Sequence, residues 1–133
     1  MPAVLVDSNV LIDILAKNSA WEEWSTKELR DAANRARLVI NAVIYAEVSV
    51  NYDRIEAVDE SLPNFIEREQ IPYEAAFSAA KAFRQYRRRG GMRRSPLPDF
   101  FIGAHAAIRG YELLTRDGKR YRNYFPTVKL IAP

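Results

Sequence analysis

The chain predicts an α/β sandwich, with helices packed on a mainly parallel central sheet of about four or five strands. Three observations predict it. Short apolar runs of strand length recur along the chain: "AVLVD", "LVIN", "YELLT" and "VKLIA". Segments of helical periodicity stand between most of them, the alternation expected of a parallel sheet. The 133 residues, 48% hydrophobic, are enough for one sizeable core, so the chain reads as a single domain, 1–133.

Taken in order, "AVLVD" at 3–7 is a buried strand whose last residue, Asp7, falls at the sheet's carboxyl edge. A helix follows at once in "SNVLIDILAK", with Ser8 or Asn9 as its cap. The next helix lies within 18–37, where Ser19 and Glu22 fit a capping box and Trp21, Trp24 and Leu29 form the apolar stripe. "LVIN" at 38–41 is the second strand, continued by a helix that carries Glu47. Residues 53–69 are amphipathic and predict one helix broken near Pro63. The Ala-rich "IPYEAAFSAAKAFRQYRRR" predicts a long helix stopped by Gly90 and Gly91. Pro96 and Pro98 bound a loop, and a helix of small and apolar residues runs from about Asp99 to Arg109, with Gly110 as its stop. Its small residues, Gly103, Ala104, Ala106 and Ala107, are expected to let it pack closely on the sheet. "YELLT" at 111–115 and "VKLIA" close the chain as strands.

Composition narrows the function classes. There is no cysteine, which excludes a disulfide framework, a thiol nucleophile and a Cys-ligated zinc. No apolar run is long enough to span a membrane. The apolar start has no basic leader and contains acids, unlike a signal peptide, so a cytoplasmic protein is expected. The net charge of +3 is small but polarised. Residues 84–94 hold six Arg and no acid, and 116–129 hold Arg116, Lys119, Arg120, Arg122 and Lys129 against Asp117 alone. The remainder is net acidic, so one basic surface is expected, suited to a polyanion or an acidic partner.

In a parallel α/β fold, ligands bind beyond the carboxyl ends of the strands. Asp7 and Asp117 fall at or just past strand ends, Glu47 follows a strand, and Asp99 starts a helix. Each has an ordinary reading as well: Asp99 as a cap, Glu47 as a solvated surface acid, Asp117 as a turn residue before Gly118. Asp13 is expected to be a capping or surface acid on the other side of the first helix. If the four acids meet, their mutual repulsion calls for a cation, and an oxygen-only donor set selects Mg²⁺ or Mn²⁺ over zinc. Such a site suits phosphodiester hydrolysis.

The segments "VLVDSNVLIDIL", "NAVIYAEV", "LPDFFIGAHAAIRGYELLTRD" and "RYRNYFPTVKLI" resemble the PIN-domain nucleases, above all the VapC toxins of toxin–antitoxin pairs. The resemblance spans essentially the whole chain. It implies a metal-dependent endoribonuclease that inhibits translation by cutting tRNA or rRNA. It further implies that Asp7, Glu47, Asp99 and Asp117 are the catalytic and metal-binding acids, Mg²⁺ or Mn²⁺ being the cofactor. Ser8 stands where the family has a hydroxyl residue beside the first acid, Thr115 matches the hydroxyl that supports the acids, and Asn9 is a hydrogen-bonding residue behind them. A homodimer and a VapB-type antitoxin that inserts a peptide near the acids are implied as partners.

Arg87, Arg88, Arg89, Arg93 and Arg94 precede Asp99 and are expected to border the site, holding an RNA backbone by charge or meeting an acidic antitoxin segment. Arg116 and Lys119 flank Asp117 and are expected near the scissile phosphate. Tyr86, Tyr121 and Tyr124 offer stacking rings, with core packing the favoured reading for each. His105, the lone histidine, lies well round the helix from Asp99 and is expected to pack rather than act as a base.

Other phosphoryl-transfer classes fit less well. "DSN" lacks the second acid of a haloacid-dehalogenase-like phosphatase, and no acid pair of a receiver domain is present. Neither a "GxxxxGK" phosphate loop nor a "GxSxG" elbow occurs. The alternative of another kind is a non-catalytic basic α/β module that binds RNA or protein and uses its acids only structurally.

Overall fold

In the computed structural model, residues 2–17, 20–94 and 97–133 are described. The element order is β1 (Ala3–Val6), α1 (Ser8–Ala16), α2 (Glu22–Ala33), β2 (Arg37–Ile40), α3 (Ala42–Ser49), α4 (Ile55–Ser61), β3 (Ile66–Arg68), α5 (Tyr73–Arg88), α6 (Pro98–Arg109), β4 (Glu112–Leu114), α7 (Lys119–Tyr124) and β5 (Leu130–Ile131). The expected capping-box residue Ser19 and the loop residue Pro96 lie outside the described residues.

The five strands form one sheet in the order β3-β2-β1-β4-β5, and every pairing is parallel. β1 is central, and its four residues are all buried, which requires cover on both faces. Helix pairs provide that cover: α1 packs with α2 and α3, and α5 with α6. The architecture is the predicted α/β sandwich.

Two elements depart from the pattern read along the chain. The amphipathic stretch at 53–69 is not one broken helix. Helix α4 stops at Ser61 because Leu62 precedes a proline and turns extended (φ −71°, ψ 137°). The chain then enters β3, a three-residue edge strand on β2 in which only Ile66 is buried. So short an edge leaves no period for a pattern to reveal. The second departure is α7, six residues just after Gly118, which carries Arg120 and Tyr121.

Helix ends otherwise follow local chemistry. Pro98 takes the first position of α6, and Gly110 ends it in the left-handed region (φ 69°). The tightest constraint at Gly103 is not from the sheet strands. It comes from Phe125: a Cβ at Gly103 would lie 2.4 Å from the Phe125 ring. The missing side chain therefore seats the segment that follows α7.

Candidate active site

The carboxyl edge of β1 and β4 collects the site. Asp7 leaves β1 with its backbone N–H donating to the Leu114 carbonyl at 2.9 Å. Its Oδ1 accepts the Ser8 N–H at 2.7 Å, so Asp7 itself is the N-cap of α1, rather than Ser8 or Asn9. Its Oδ2 accepts hydroxyl protons from Thr115 and Tyr121, both at 2.9 Å. Asn9 holds the neighbouring strand end: Nδ2 donates to Thr115 Oγ1 at 3.3 Å, and Oδ1 accepts the Arg116 N–H at 3.1 Å.

Glu47 comes in on α3 and Asp99 in the first turn of α6. Ser8 Oγ lies 2.8 Å from Glu47 Oε1 and 3.5 Å from Asp7 Oδ1. A hydroxyl has one proton, so the short contact with Glu47 is the hydrogen bond. Tyr121 faces the same choice: its hydroxyl is 2.9 Å from Asp7 and 3.4 Å from Asp99 Oδ1. Its proton goes to Asp7. Asp99 makes its other contact with Arg120, Nη1 to Oδ2 at 3.5 Å. Leu97, two residues before it, is the N-cap of α6 and makes no side-chain cap bond.

Charge couples these groups. Burial, first, raises the Asp7, Asp99 and Glu47 carboxyls above their ordinary values. Asp7 adds to the rise at Asp99 and at Glu47. Burial and then the Asp7 and Asp99 charges push the Tyr121 phenol well above 10.0, so it stays a donor. Asp117 stands at the rim: exposed, with Oδ1 accepting the Lys119 N–H at 3.4 Å, and felt by Asp99 as a further negative charge. Among the described residues, no three acid or imidazole side chains stand as a ready-made cage for a metal ion. The donor chemistry nonetheless fits a hard divalent cation. Oxygens are the only donors, and Arg120 is the one cation paired with any of the four acids among the described residues.

A cleft of about 350 Å³ opens beside Asp99 and Asp117, lined also by Tyr86, Lys119, Arg120, Asn123 and Tyr124. Arg87, Arg88 and Arg89 at the end of α5, with Arg93 and Arg94 after it, are exposed. Arg89 lies over the Tyr124 ring at 5.0 Å, which links this basic run to the cleft, while Arg87 donates to the Arg93 carbonyl.

Two expectations are corrected. Asp13 is buried, not a surface or capping acid: it accepts from Ser25 Oγ at 2.8 Å and pairs with Arg116, Nε to Oδ2 at 2.8 Å. The Arg116 guanidinium is thereby committed to α1 and is absent from the cleft lining. Arg116→Ala is expected to lower stability by about 1–3 kcal/mol in urea melts, because Asp13 stays buried with a hydrogen-bond partner removed. Tyr121, read mainly as a core ring, has its ring in the core and its hydroxyl in the site. Sequence reasoning misses α7 and the place of Arg120 beside Asp99. The available signal is Tyr121 and Phe125 at helical spacing after Gly118. His105 behaves as expected, buried and bonded to none of the four site acids: Nδ1 meets Asn41 Nδ2 at 3.0 Å, and Nε2 meets Glu69 Oε2 at 3.1 Å.

The raised carboxyls make a stability prediction. A raised acid holds more protons folded than unfolded between its ordinary and its folded value, so unfolding free energy falls as pH rises through that window and stays reduced above it. In chelator, the contribution of Asp7, Asp99 and Glu47 is therefore expected to decline from just above the ordinary values of 3.8 and 4.5 upward. Mn²⁺ added at neutral pH is expected to raise the melting temperature, since binding favours the folded state alone. A melting curve indifferent to Mn²⁺ speaks against the site.

Fold and site together define a parallel α/β domain with an acidic centre at the sheet's carboxyl edge and a cleft with basic side chains beside it. Residues 4–126 match the PIN domain, and the chain belongs to that family. Among solved structures, it is similar to VapBC2 from Rickettsia felis bound to a DNA fragment from the promoter, with a TM-score of 0.74 at 15% identity over 98% of each chain. It is also similar to a toxin–antitoxin complex from Klebsiella pneumoniae, with a TM-score of 0.67 at 23% identity over 94% of each chain. A third is VapC20 of Mycobacterium tuberculosis, described as a sarcin–ricin loop cleaving toxin, with a TM-score of 0.64 at 14% identity over 95% of this chain and 98% of that one. At these identities the likeness is one of fold. A comparison with curated proteins finds no match. Among the described residues, no helix is long and apolar enough to cross a membrane.

Proposed function

We propose that this PIN domain is a Mg²⁺- or Mn²⁺-dependent endoribonuclease and the toxin of a VapBC-type pair, inhibiting translation by cutting tRNA or rRNA. The observation that carries the reading is the meeting of Asp7, Glu47 and Asp99, brought from three distant parts of the chain, around the hydroxyls of Ser8 and Tyr121. Membership of the PIN domain family supports it, as does the likeness in fold to VapBC complexes and to a toxin that cleaves the sarcin–ricin loop. A VapB-type antitoxin and a second copy of the chain are the partners that reading implies, in the cytoplasm.

In the proposal, Asp7, Glu47 and Asp99 would hold the divalent cation, with Asp117 at the rim tuning their charge. When bound, that cation supplies Lewis-acid chemistry to the phosphodiester and to the attacking water. Thr115 and Tyr121 orient Asp7 by donating to Oδ2, and Asn9 orients Thr115. Ser8 sets the Glu47 carboxylate. Lys119 in the cleft, with Arg89 beside Tyr124, attracts the RNA backbone by charge.

The test is direct. Labelled structured RNA is incubated with the protein in Mg²⁺ or Mn²⁺, and in EDTA. Cleavage with metal that is lost in EDTA and in Asp99→Asn is the expected result. Cutting that persists in EDTA refutes the metal-dependent reading. RNA that is bound and never cut favours the non-catalytic binding module.

A further inference from the structure

Arg120 has two kinds of partner. One is the Asp99 carboxylate, at 3.5 Å, in a pair whose side chains are 39% and 38% exposed. The other is aromatic: its guanidinium lies 5.8 Å from the ring centroids of both Tyr86 and Phe100. The first contact is long and wet, and ion pairs of that kind contribute about 0–1 kcal/mol. The second does not involve Asp99 at all. Phe100 is fully buried and stacks edge-on with Tyr86 and Tyr124, so the aromatic seat is fixed by the core. Arg120 can therefore release Asp99 and stay where it is.

Its surroundings say what it would meet next. Asp99 and Asp117 line the same cleft with Lys119 and Arg120, so two acids face two cations. Neutralising Asp99 with a divalent cation leaves the cleft positive, and Arg120 then has N–H donors free to take a new acceptor. A planar guanidinium held on rings suits a phosphate, which accepts two parallel N–H bonds.

We propose that Arg120 is a partner-exchanging cation: it holds Asp99 while the acids carry no metal, and from the same aromatic seat it turns to an RNA phosphate once metal takes the carboxylate. This rests on the nuclease reading above and names one determinant of substrate binding in it. Two consequences follow, of opposite sign. Arg120 competes with the metal, and it assists the RNA.

The experiment measures both on the intact chain. Mn²⁺ binding to the free protein is read by calorimetry. Binding of a fluorescein-labelled oligoribonucleotide is read by anisotropy with Mn²⁺ present, and its integrity is checked on a gel. Arg120→Gln is expected to bind Mn²⁺ about two- to five-fold tighter, the range a surface ion pair can supply. It is expected to bind the oligonucleotide more weakly, with a slope of log affinity against log salt shallower by about 0.7, the loss of one phosphate contact. Arg120→Lys keeps the charge and loses the planar fork, so its Mn²⁺ affinity is expected to stay near that of the parent while RNA binding weakens. An Arg120→Gln protein that binds Mn²⁺ no tighter, or binds RNA with unchanged affinity and salt slope, overturns the proposal. A parent protein that binds no Mn²⁺ overturns the nuclease reading itself, a result distinguishable from either.

Discussion

Asp7→Asn is expected to abolish RNA cleavage, by about 10³-fold or more, without weakening the fold. On the proposed reading, the activity loss follows from removing an anionic oxygen that would hold the cation, where Lewis-acid stabilisation is worth several kcal/mol and each 1.36 kcal/mol is tenfold in rate. The stability outcome is the more diagnostic half. Asp7 is 4% exposed and has no cationic partner among the described residues, and burial raises its carboxyl above the ordinary value. Ionising it therefore costs folding free energy at neutral pH in the absence of metal. Asparagine removes that cost and can keep the Ser8 bond through its carbonyl oxygen. The amide N–H₂ then faces the Tyr121 hydroxyl, which can accept by turning its own proton to Asp99 Oδ1 at 3.4 Å. Thr115 Oγ1 already accepts from Asn9 Nδ2 and the Asp117 N–H, and its proton turns to the Asp117 carbonyl at 3.3 Å. Urea melts in chelator are expected to show Asp7→Asn at least as stable as the parent, with a flatter dependence on pH. A clear destabilisation would make Asp7 a structural acid, and the loss of cleavage would then say nothing about metal.

The second large effect is expected at Gly103, a position that touches no acid. Gly103 lies inside α6, where helix propensity favours Ala over Gly by about 1 kcal/mol. Contact decides otherwise. The added Cβ would fall 2.4 Å from the buried Phe125 ring, an overlap that helix and ring cannot absorb without movement. Overpacking of this kind costs about 1–3 kcal/mol. The displacement also has a route to the site, since the Phe125 N–H is bonded to the Tyr121 carbonyl at 2.8 Å at the end of α7. Moving Phe125 moves the helix that places Tyr121 against Asp7 and Arg120 against Asp99. Gly103→Ala is thus expected to lose both stability and RNA cleavage, and Phe125→Leu in the same chain to restore part of each. Additive effects of the two substitutions would show that the ring and the glycine do not meet in this way.

These two residues differ in how far the sequence foretells their roles. Asp7 is placed by the chain's pattern alone, because an acid ending a short buried apolar run has one place to go in a parallel sheet. Gly103 stands out as small, but its place in an Ala-rich helix points to the sheet, and the neighbour that needs the space lies more than twenty positions later. Asp13 shows the same limit. Six residues after Asp7 on a short helix, it has the spacing of a solvent-facing acid, and groups brought up by the fold, Ser25 on α2 and Arg116 beyond β4, offset the cost of its burial. The edge strand β3 escapes because three residues with one buried side chain carry no period, and Pro63 beside them argues for a broken helix.

What the sequence determined by itself is everything set by repetition and by local backbone chemistry. Apolar runs of strand length, a proline at the start of α6 and a glycine at its end specify the alternation of strand and helix, and with it the parallel sheet. Acids at strand ends follow from that arrangement. What only the tertiary structure decided is which side chains share protons and charges. Ser8 with Glu47, Tyr121 between Asp7 and Asp99, and Arg120 on its aromatic seat are contacts between residues up to 114 positions apart. Such pairs are chosen by distances of a few tenths of an ångström after packing, and no spacing along a chain encodes them.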